Sequence, residues 1–336
     1  MKHTTVIIFI LLLFLAIIGY SVYTYYHEID LGSEVVTIII KPGDSFHATT
    51  EQLVTKKVVE SKTMLLLAGR LFGIDKRLTP GRYDFKGGNS CHSVLKKLAN
   101  ADFVKIKITI PEGSTIWKVA SIIAHKLNLD SAGFVALNHD ASFLRRYKIS
   151  SLEGYLFPET YFFPWGISDT NIIDDMIKMY HHKTDSLWLD TIIDNLSRYD
   201  ILKLASIIEA ETGLDDERPL VSSVYHNRLK KHIRLDADPT VIYGLGGLER
   251  PLFRKDLKKD TPYNTYLHYG LPPTPINSPG LASIKAALHP KTTNYLYFVA
   301  NENGRHYFSK TNAEHNRMKR RIKAEKRKLF SPTNHR

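Results

Sequence analysis

A long apolar run near the start of the chain predicts a helix that spans a membrane. Between Thr4 and Tyr26 there is no charged residue, and about 20 apolar residues are enough for a helix to cross a bilayer. A cleaved signal peptide is the alternative, but the run is longer than a typical signal-peptide core and no A-x-A cleavage site follows it. We therefore predict a retained transmembrane helix over residues 5–26.

The residues that flank this run predict its orientation. Lys2 lies before it and Glu28 and Asp30 follow it, and positively charged flanks stay on the cytoplasmic side. Tyrosines cluster at its end, as in the aromatic belt of a membrane surface, namely Tyr20, Tyr23, Tyr25 and Tyr26. We expect residues 1–4 in the cytoplasm and the rest of the chain in the periplasm or extracytoplasmic space.

Residues 35–148 contain a strand, a turn and a helix start twice. The two copies begin with Val36-Thr-Ile-Ile-Ile-Lys-Pro-Gly-Asp-Ser45 and Val104-Lys-Ile-Lys-Ile-Thr-Ile-Pro-Glu-Gly-Ser-Thr115. Each ends in residues that favour a helix N-cap. Such small strand–helix units resemble LysM domains, which bind N-acetylated glycans. An ordinary α+β subdomain that binds nothing is the other interpretation.

The stretch Leu204–Thr212 has the spacing of a helix with one apolar face. Glu211 falls on that face, together with Ile201, Leu204, Ile207 and Ile208, whereas Glu209 points well away from it. A carboxyl group against an apolar wall loses solvation of its charged form, so its pKa rises and it stays protonated near neutral pH. The alternative is an interior Glu paired with one of the many basic residues.

The second half of the chain alternates helical patterns with loop-rich segments. The patterns predict helices over 171–196, 216–229 and 283–288 and a β-hairpin over 295–309 with Asn303-Gly304 at its turn. Pro, Gly and aromatic residues predict loops over 152–164 and 262–280, and Gly244, Gly246 and Gly247 predict a turn after a short apolar run. The basic run from Arg317 to Lys328 is compatible with a helix and is predicted to be a solvated face, with contact with anionic lipid or wall polymer as the alternative.

Composition excludes several classes of function. The 336-residue chain has a formal net charge of +12, which suits an anionic partner. It contains no zinc-finger spacing, RNP-like motif or phosphate-binding G-x-x-x-x-G-K-[ST] loop, so we expect no nucleic-acid partner. Cys91 is the only cysteine, which excludes a disulfide and a cysteine-based metal site. We expect no cofactor and no metal.

Carboxylate chemistry or a non-enzymatic wall-binding role remains. There is no G-x-S-x-G elbow and no H-E-x-x-H motif. Hydrolysis of a glycosidic bond normally requires two carboxylates, and the candidates for a second group beside Glu211 are Glu153, Glu159, Asp236 and Asp238. A single carboxyl group suffices where a hydroxyl of the substrate is the nucleophile.

A series of motifs in a fixed order makes a family resemblance specific. After the apolar run and the LysM-like region come Leu152-Glu-Gly-Tyr-Leu-Phe-Pro-Glu-Thr-Tyr161, Ala205-Ser-Ile-Ile-Glu-Ala-Glu-Thr212, Asp238-Pro-Thr-Val-Ile-Tyr-Gly244, Tyr263-Asn-Thr-Tyr266, Gly270-Leu-Pro-Pro273 and His289-Pro290. Together they resemble the endolytic murein transglycosylases, the MltG or YceG-like family. The resemblance extends from the anchor to about Asn316.

The resemblance implies a fold, a reaction and a catalytic residue. It implies an α+β chain with one transmembrane helix, a LysM-like region over 35–148, a mixed α/β catalytic domain over 149–316 and a basic tail over 317–336. The implied reaction is lytic, a carbon–oxygen lyase cleavage of the β-1,4 bond between N-acetylmuramic acid and N-acetylglucosamine that leaves 1,6-anhydro ends. Glu211 matches the family's catalytic Glu, whereas Ala210 stands where the family has Lys.

The resemblance also implies a setting and a set of further contacts. The enzyme would act in the cytoplasmic membrane during cell wall assembly, terminate nascent glycan strands and work beside peptidoglycan synthases. Residues expected to line the glycan groove or hold N-acetyl groups are Glu153, Tyr155, Phe157, Asn227, Asp238, Thr240, Asn264 and Tyr266. A purely structural role is an equal alternative for each. A two-carboxylate muramidase and a non-catalytic peptidoglycan-binding scaffold remain alternative functions.

Overall fold

The computed structural model describes residues 2–188 and 196–329 and divides the chain into two compact units. The first unit comprises 1–107 and 161–168, and the second comprises 108–160 and 169–336. The sequence predicts a boundary at 148/149 between the LysM-like region and the catalytic domain, because the second strand–turn–helix pattern resembles the first. In the structure the helix of that second pattern belongs to the second unit, so the two similar patterns serve different cores.

The chain begins with α1 (Lys2–Tyr26), a candidate membrane span. Its segment Thr4–Tyr26 has a mean hydropathy of 2.8 and is the one described helix long and apolar enough to cross a bilayer. Its apolar side chains are exposed all round, for example Phe9 at 66% and Leu12 at 59%. A helix that is apolar on every face needs a non-aqueous environment, which a bilayer supplies.

The first unit continues with short strands and three capped helices. These are β1 (Ile29–Asp30), β2 (Val36–Ile40), α2 (Phe46–Thr55), α3 (Lys62–Leu71), β3 (Gly81–Phe85), β4 (Gly88–Asn89) and α4 (Cys91–Ala99). Strands β2 and β3 pair antiparallel, with Val36 opposite Phe85 and Ile40 opposite Gly81. Ser45, Ser61 and Ser90 cap the three helices through their hydroxyl groups, as the sequence pattern before each helix indicates.

Strands β5 (Lys105–Thr109) and β6 (Thr160–Pro164) pair with each other. The sequence analysis interpreted 152–164 as a loop because of its prolines, and β6 is therefore a correction. Pro164 is compatible with β6 because it is the last residue of a strand with a single partner, where a missing N–H breaks no ladder.

The second unit is mainly helical. Its elements are α5 (Ile116–Leu127), α6 (Ser131–Ala136), α7 (Ala141–Tyr147), α8 (Asp169–Thr184), α9 (Arg198–Glu211), α10 (Arg218–Lys230), α11 (Asp238–Gly244), α12 (Leu281–Leu288), β7 (Tyr297–Ala300), β8 (His306–Ser309) and α13 (Asn312–Leu329). The described residues thus form a mixed α+β fold with one apolar N-terminal helix. The predicted hairpin is confirmed: β7 and β8 pair antiparallel, with Tyr297 opposite Ser309.

Helix α9 lies at the centre of this unit and contacts α10, α11 and α12. It starts at a capping box in which the Ser197 hydroxyl accepts from the Asp200 N–H at 3.1 Å and the Asp200 carboxylate accepts from the Ser197 N–H. Its buried residues are Ile201, Leu202, Leu204, Ala205, Ser206, Ile207 and Ile208. Because α9 is buried on nearly all sides, the position of its last residue is set by the core.

Three predicted elements differ from the structure in the second unit. The helix predicted over 171–196 ends at Thr184, a short 3₁₀ turn follows over Asp185–Trp188, and 189–195 lie outside the described residues. The segment 234–247, in which the glycines predict a turn, also contains α11, because Pro239 fits the first turn of a helix and Val241 is buried. Helix α13 begins at Asn312, before the predicted start of the basic tail.

Candidate active site

Glu211 is the last residue of α9, and its carboxyl group is held by a tyrosine from α10. The Tyr225 hydroxyl donates a hydrogen bond to Glu211 Oε1 at 2.7 Å. Burial raises the pKa of Glu211 to about 7, although the Tyr225 hydrogen bond lowers it and the negative charge of Asp238 raises it further. A helix C-terminus also disfavours a carboxylate. Glu211 is therefore poised to hold and release a proton near neutral pH.

Glu211 opens into a cavity of about 370 Å³, which we call the Glu211 groove. Its charged lining groups are Arg228, Asp236, Asp238 and Lys319. Tyr225, Tyr266, Tyr297, Phe298, Leu235, Asn312, His315 and Asn316 complete the lining. The volume lies within the range of small-molecule sites. The groove therefore combines an acid of raised pKa with aromatic surface and both signs of charge.

Hydrogen bonds hold the segment that carries Asp236 and Asp238, the first residue of α11. Arg228 is 8% exposed; its Nη1 donates to Asp236 Oδ2 at 2.9 Å and to the carbonyl of Leu235, while its Nε donates to the carbonyl of Leu296. Asp238 Oδ1 accepts from the Tyr266 hydroxyl at 2.6 Å. Asp236 is thus ion-paired, whereas Asp238 has no basic partner among the ion pairs of the described residues, and its negative charge raises the pKa of Glu211.

Glu209 has the structural role that was the alternative for Glu211. Its side chain is 7% exposed and pairs with the Arg218 guanidinium at 3.4 Å, and its Oε2 accepts from the Gly280 N–H at 3.0 Å. Arg218 in turn donates from Nε to Ser283 Oγ. The helical spacing correctly placed the two glutamates in different environments, but Glu209 is buried in an ion pair and does not face solvent.

Of the eight further residues proposed to contact glycan, Asp238 and Tyr266 line the Glu211 groove. The other six make internal contacts. Phe157 and Tyr155 pack in or against the core of α9. Thr240, Asn264 and Asn227 hydrogen-bond to backbone carbonyls or to Thr265. These contacts favour structural roles; for example, Asn264 Oδ1 accepts the N–H of Tyr266 and so positions that ring.

Glu153 is completely buried and joins two elements of the second unit. Its carboxylate oxygens accept the Ile116 N–H at 3.1 and 3.2 Å, and Oε2 also accepts the Tyr243 hydroxyl at 2.9 Å. Burial raises its pKa to about 7 against these hydrogen bonds. The following Gly154 has φ +88°, and a Cβ there would lie 2.7 Å from Pro275. The chain can therefore turn Glu153 inward only with glycine next to it.

The structure also narrows the candidates for a second catalytic carboxylate. Glu153 is 0% exposed and does not line the Glu211 groove. Glu159 pairs with Lys183 at 3.0 Å and accepts the Thr160 N–H. Of the four candidates, Asp236 and Asp238 remain in the groove.

Sequence reasoning missed the part of the groove that comes from α13. Asn312, His315, Asn316 and Lys319 recur at three- and four-residue spacing and so share one helix face. His315 is 9% exposed, stacks on Tyr297 with ring centroids 5.3 Å apart, and its Nδ1 has no hydrogen-bond partner among the described residues. Burial and the charges of Lys319 and Arg228 lower its pKa, which favours the neutral ring. The three- and four-residue spacing is present in the sequence, but the basic composition of this stretch predicts a solvated face.

Metal binding has no support from side-chain clusters in the part of the chain that the structure describes. No group of three or more His, Cys, Asp or Glu side chains there is placed to hold an ion. The groove itself offers an acid, hydrogen-bond donors and aromatic surface.

Comparisons with known proteins agree on one family. The YceG-like family model matches residues 38–321. An endolytic murein transglycosylase from Bacillus subtilis (strain 168) is 33% identical over 311 residues, which cover 87% of this chain and 86% of that protein. One from Streptococcus pneumoniae (strain ATCC BAA-255 / R6) is 28% identical over 368 residues, covering 94% of this chain but 65% of that longer protein.

A solved structure supports the same relationship. The crystal structure of a YceG-like protein from Listeria monocytogenes aligns with a TM-score of 0.56 at 33% sequence identity. The alignment covers 85% of this chain and 100% of that one. The family match reaches residue 321 and thus extends past the predicted boundary at 316/317 between the catalytic domain and the tail.

Proposed function

This chain belongs to the YceG-like family, and we propose that it is a lytic transglycosylase that cleaves peptidoglycan glycan strands endolytically. The names of its relatives support the substrate and the reaction class. The observation that carries the proposal is the Glu211 carboxyl group. It is buried enough to keep a proton near neutral pH, yet it borders a groove.

The proposed chemistry uses Glu211 twice. Protonated Glu211 first donates its proton to the oxygen of the β-1,4 bond between N-acetylmuramic acid and N-acetylglucosamine, and the bond from C1 to that oxygen breaks. The muramic C6 hydroxyl then attacks C1, and the Glu211 carboxylate takes the hydroxyl proton. The products are a free 4-hydroxyl end and a 1,6-anhydro end, and Glu211 regains its proton without consuming water.

Neighbouring groups support each half of this cycle. The Tyr225 hydroxyl orients the carboxyl group and stabilises the carboxylate after proton transfer. The charge of Asp238 favours protonated Glu211 beforehand and stabilises positive charge that develops at C1. Tyr266 holds Asp238 in place through its 2.6 Å hydrogen bond.

A two-carboxylate muramidase is the second candidate, and one observation favours it. Asp236 and Asp238 line the same groove as Glu211, and a hydrolase needs such a second carboxylate to activate water or act as nucleophile. The Arg228 ion pair makes Asp236 a weak candidate, which leaves Asp238. A non-catalytic peptidoglycan-binding scaffold is the third reading, in which Glu211 is only buried.

The cellular setting is part of the proposal. We propose that α1 anchors the chain in the cytoplasmic membrane with residues 1–4 inside and the chain that follows α1 outside. The 35–148 region is proposed to be LysM-like, and the reaction is proposed to terminate nascent strands beside peptidoglycan synthases. The strand–turn–helix pattern and the exposed apolar α1 support the first two of these.

Product analysis tests the reaction. The full chain in detergent would be incubated with purified peptidoglycan strands and the products weighed by mass spectrometry, with Glu211→Gln as the matched variant. We expect 1,6-anhydro ends from the wild type and none above background from the variant. Reducing ends would establish the muramidase instead, and binding without cleavage by the wild type would establish the scaffold.

A further inference from the structure

A second cavity of about 870 Å³ lies next to the Glu211 groove in the same unit. We call it the Trp117 groove; Trp117, Tyr243, Ala210, Pro239 and Asn277 are among its lining residues. Ala210 directly precedes Glu211, and Pro239 directly follows Asp238. Glu211 and Asp238 line the Glu211 groove, whereas Ala210 and Pro239 line the Trp117 groove. Two short backbone segments therefore border both cavities, and a chain-like ligand at Glu211 extends naturally into the second.

An aromatic surface is exposed in the Trp117 groove. Trp117 is 41% exposed although it belongs to the first turn of α5, whose buried face consists of other residues. Its ring lies 5.1 Å from the Tyr243 ring at an interplanar angle of 36°, and Tyr243 lies 4.9 Å from Tyr263. An exposed indole contributes little to the core, whereas an aromatic face packs well against the C–H surface of a pyranose ring.

The same buried carboxylate holds the backbone beside Trp117 and the hydroxyl of Tyr243. Glu153 accepts the N–H of Ile116, the neighbour of Trp117, and it accepts the hydroxyl of Tyr243. Because Glu153 is completely buried, these bonds are shielded from water. The backbone beside Trp117 and the Tyr243 ring are therefore held in place before any ligand arrives, which reduces the entropy cost of binding.

The remaining lining suits a neutral, polar sugar. Lys118 and Glu249 contribute one charge of each sign. Gly246 and Gly247 have φ values of +80° and +88° and leave open space where side chains would stand. Asn277 is 3% exposed, and its Oδ1 has no hydrogen-bond partner among the described residues although its Nδ2 donates to the Ser206 carbonyl at 2.8 Å. An N-acetyl N–H is a donor of the kind this oxygen lacks.

We propose that the Trp117 groove is a second arm of the glycan site, in which N-acetylhexosamine residues beyond the cleaved bond stack on Trp117. This inference rests on the proposed function, since it assumes that the ligand at Glu211 is a glycan. Ala210 lines the Trp117 groove directly before Glu211 and contributes only a methyl group. A long charged side chain at this position would occupy space between the two grooves.

Binding of a bare N-acetylglucosamine tetramer tests the proposal without requiring cleavage. The full chain in detergent would be titrated with the tetramer by calorimetry. We expect Trp117→Ala to raise the Kd about tenfold, Trp117→Phe to recover most of the affinity, and Ala210→Lys to weaken binding. Phe253→Ala is the control, because Phe253 is 50% exposed in the same unit and does not line this groove.

Kinetics on soluble glycan strands provide the second readout. Trp117→Ala is expected to raise KM about tenfold while kcat changes by less than about twofold, the pattern of lost substrate binding. Unchanged tetramer binding by Trp117→Ala would overturn the proposal. If peptide-substituted strands nevertheless bound this variant more weakly, the groove would be a site for the peptide and not for the glycan. A loss of kcat with unchanged KM would also overturn it and make Trp117 a support for Glu211.

The two proposals fail in different ways. If Glu211→Gln still cleaved strands, the assigned acid would be wrong, but the tetramer titration would still report on Trp117. If Trp117→Ala bound and cleaved as the wild type does, the second arm would be wrong while Glu211 kept its role.

Discussion

Glu153 and Glu211 belong to the same unit, and burial raises the pKa of each to about 7. Each carboxyl group also accepts a tyrosine hydroxyl, from Tyr243 at 2.9 Å and from Tyr225 at 2.7 Å. Their surroundings differ: Glu153 has no exposed surface and holds the Ile116 N–H, whereas Glu211 borders a groove beside Asp238. A raised pKa therefore does not identify a catalytic acid; access to a substrate does.

Removing each acid in turn is the strongest way to break this comparison. Glu211→Gln is expected to lower the rate of anhydro-product release by about 10²–10⁴-fold, the usual contribution of general acid–base catalysis. Glu153→Gln keeps a hydrogen-bond acceptor of the same shape and is expected to retain most activity. Equal losses in the two variants, measured by mass analysis of products, would contradict the distinction.

Stability is expected to show the reverse order. Glu153→Ala leaves the Ile116 N–H and the Tyr243 hydroxyl buried without their acceptor, and each such loss costs roughly 1–3 kcal/mol. We expect the free energy of unfolding to fall by about 3 kcal/mol. Denaturant unfolding of the chain in detergent measures it, with Glu211→Gln as the control that changes little.

The pH dependence of stability sharpens the same point. A carboxyl whose folded pKa is about 7 rather than its ordinary 4.5 favours the folded state when protonated. That contribution is complete below about pH 4.5 and is lost as the pH rises through 7. Glu153→Gln is expected to flatten the decline by about 1–3 kcal/mol. An unchanged slope in unfolding experiments at pH 4.5 to 8 would show that Glu153 is not the titrating group.

The smallest expected effects concern the neighbours of Glu211. The Tyr225 hydrogen bond lowers its pKa and the Asp238 charge raises it. Since the first step needs the protonated acid, activity falls as the pH rises through this pKa. Tyr225→Phe should move that decline to higher pH and Asp238→Asn to lower pH, each by less than about one unit.

Rate profiles of both variants between pH 5 and 9 measure these shifts. Shifts in the same direction would contradict the assigned electrostatics. Complete loss of activity in Asp238→Asn, with reducing ends as the wild-type product, would instead favour the muramidase, because Asp238 would then be the second carboxylate.

Helical periodicity predicted the part of the site that lies on one element. The spacing of Ile201, Leu204 and Ile208 placed Glu211 on a buried face, and α9 confirms that face. The partner of Glu209 could not be predicted in this way. Arg218 follows Glu209 on a different helix, and their contact at 3.4 Å depends on the angle at which α10 packs on α9.

Two predictions that depended on composition without periodicity were incomplete, one for 234–247 and one for the stretch after 317. The glycines of 234–247 predicted only a turn, but Pro239 lies in the first turn of α11, and Gly246 and Gly247, which have positive φ, follow that helix. The basic residues after 317 predicted a solvated face, yet Lys319 lines the Glu211 groove. Proline is tolerated in the first turn of a helix but breaks its interior. A basic residue indicates solvent only when it lies on the polar face of a helix.

The amino-acid sequence by itself determined the apolar N-terminal helix, the buried helix α9 and the candidate acid Glu211. These depend on local spacing and on the length of an apolar run, which a linear chain displays directly. Only the tertiary structure decided which carboxyl groups share a groove. Glu153, Asp236, Asp238 and Glu211 look alike in the sequence, but packing of distant helices shuts one of them away and leaves the others open.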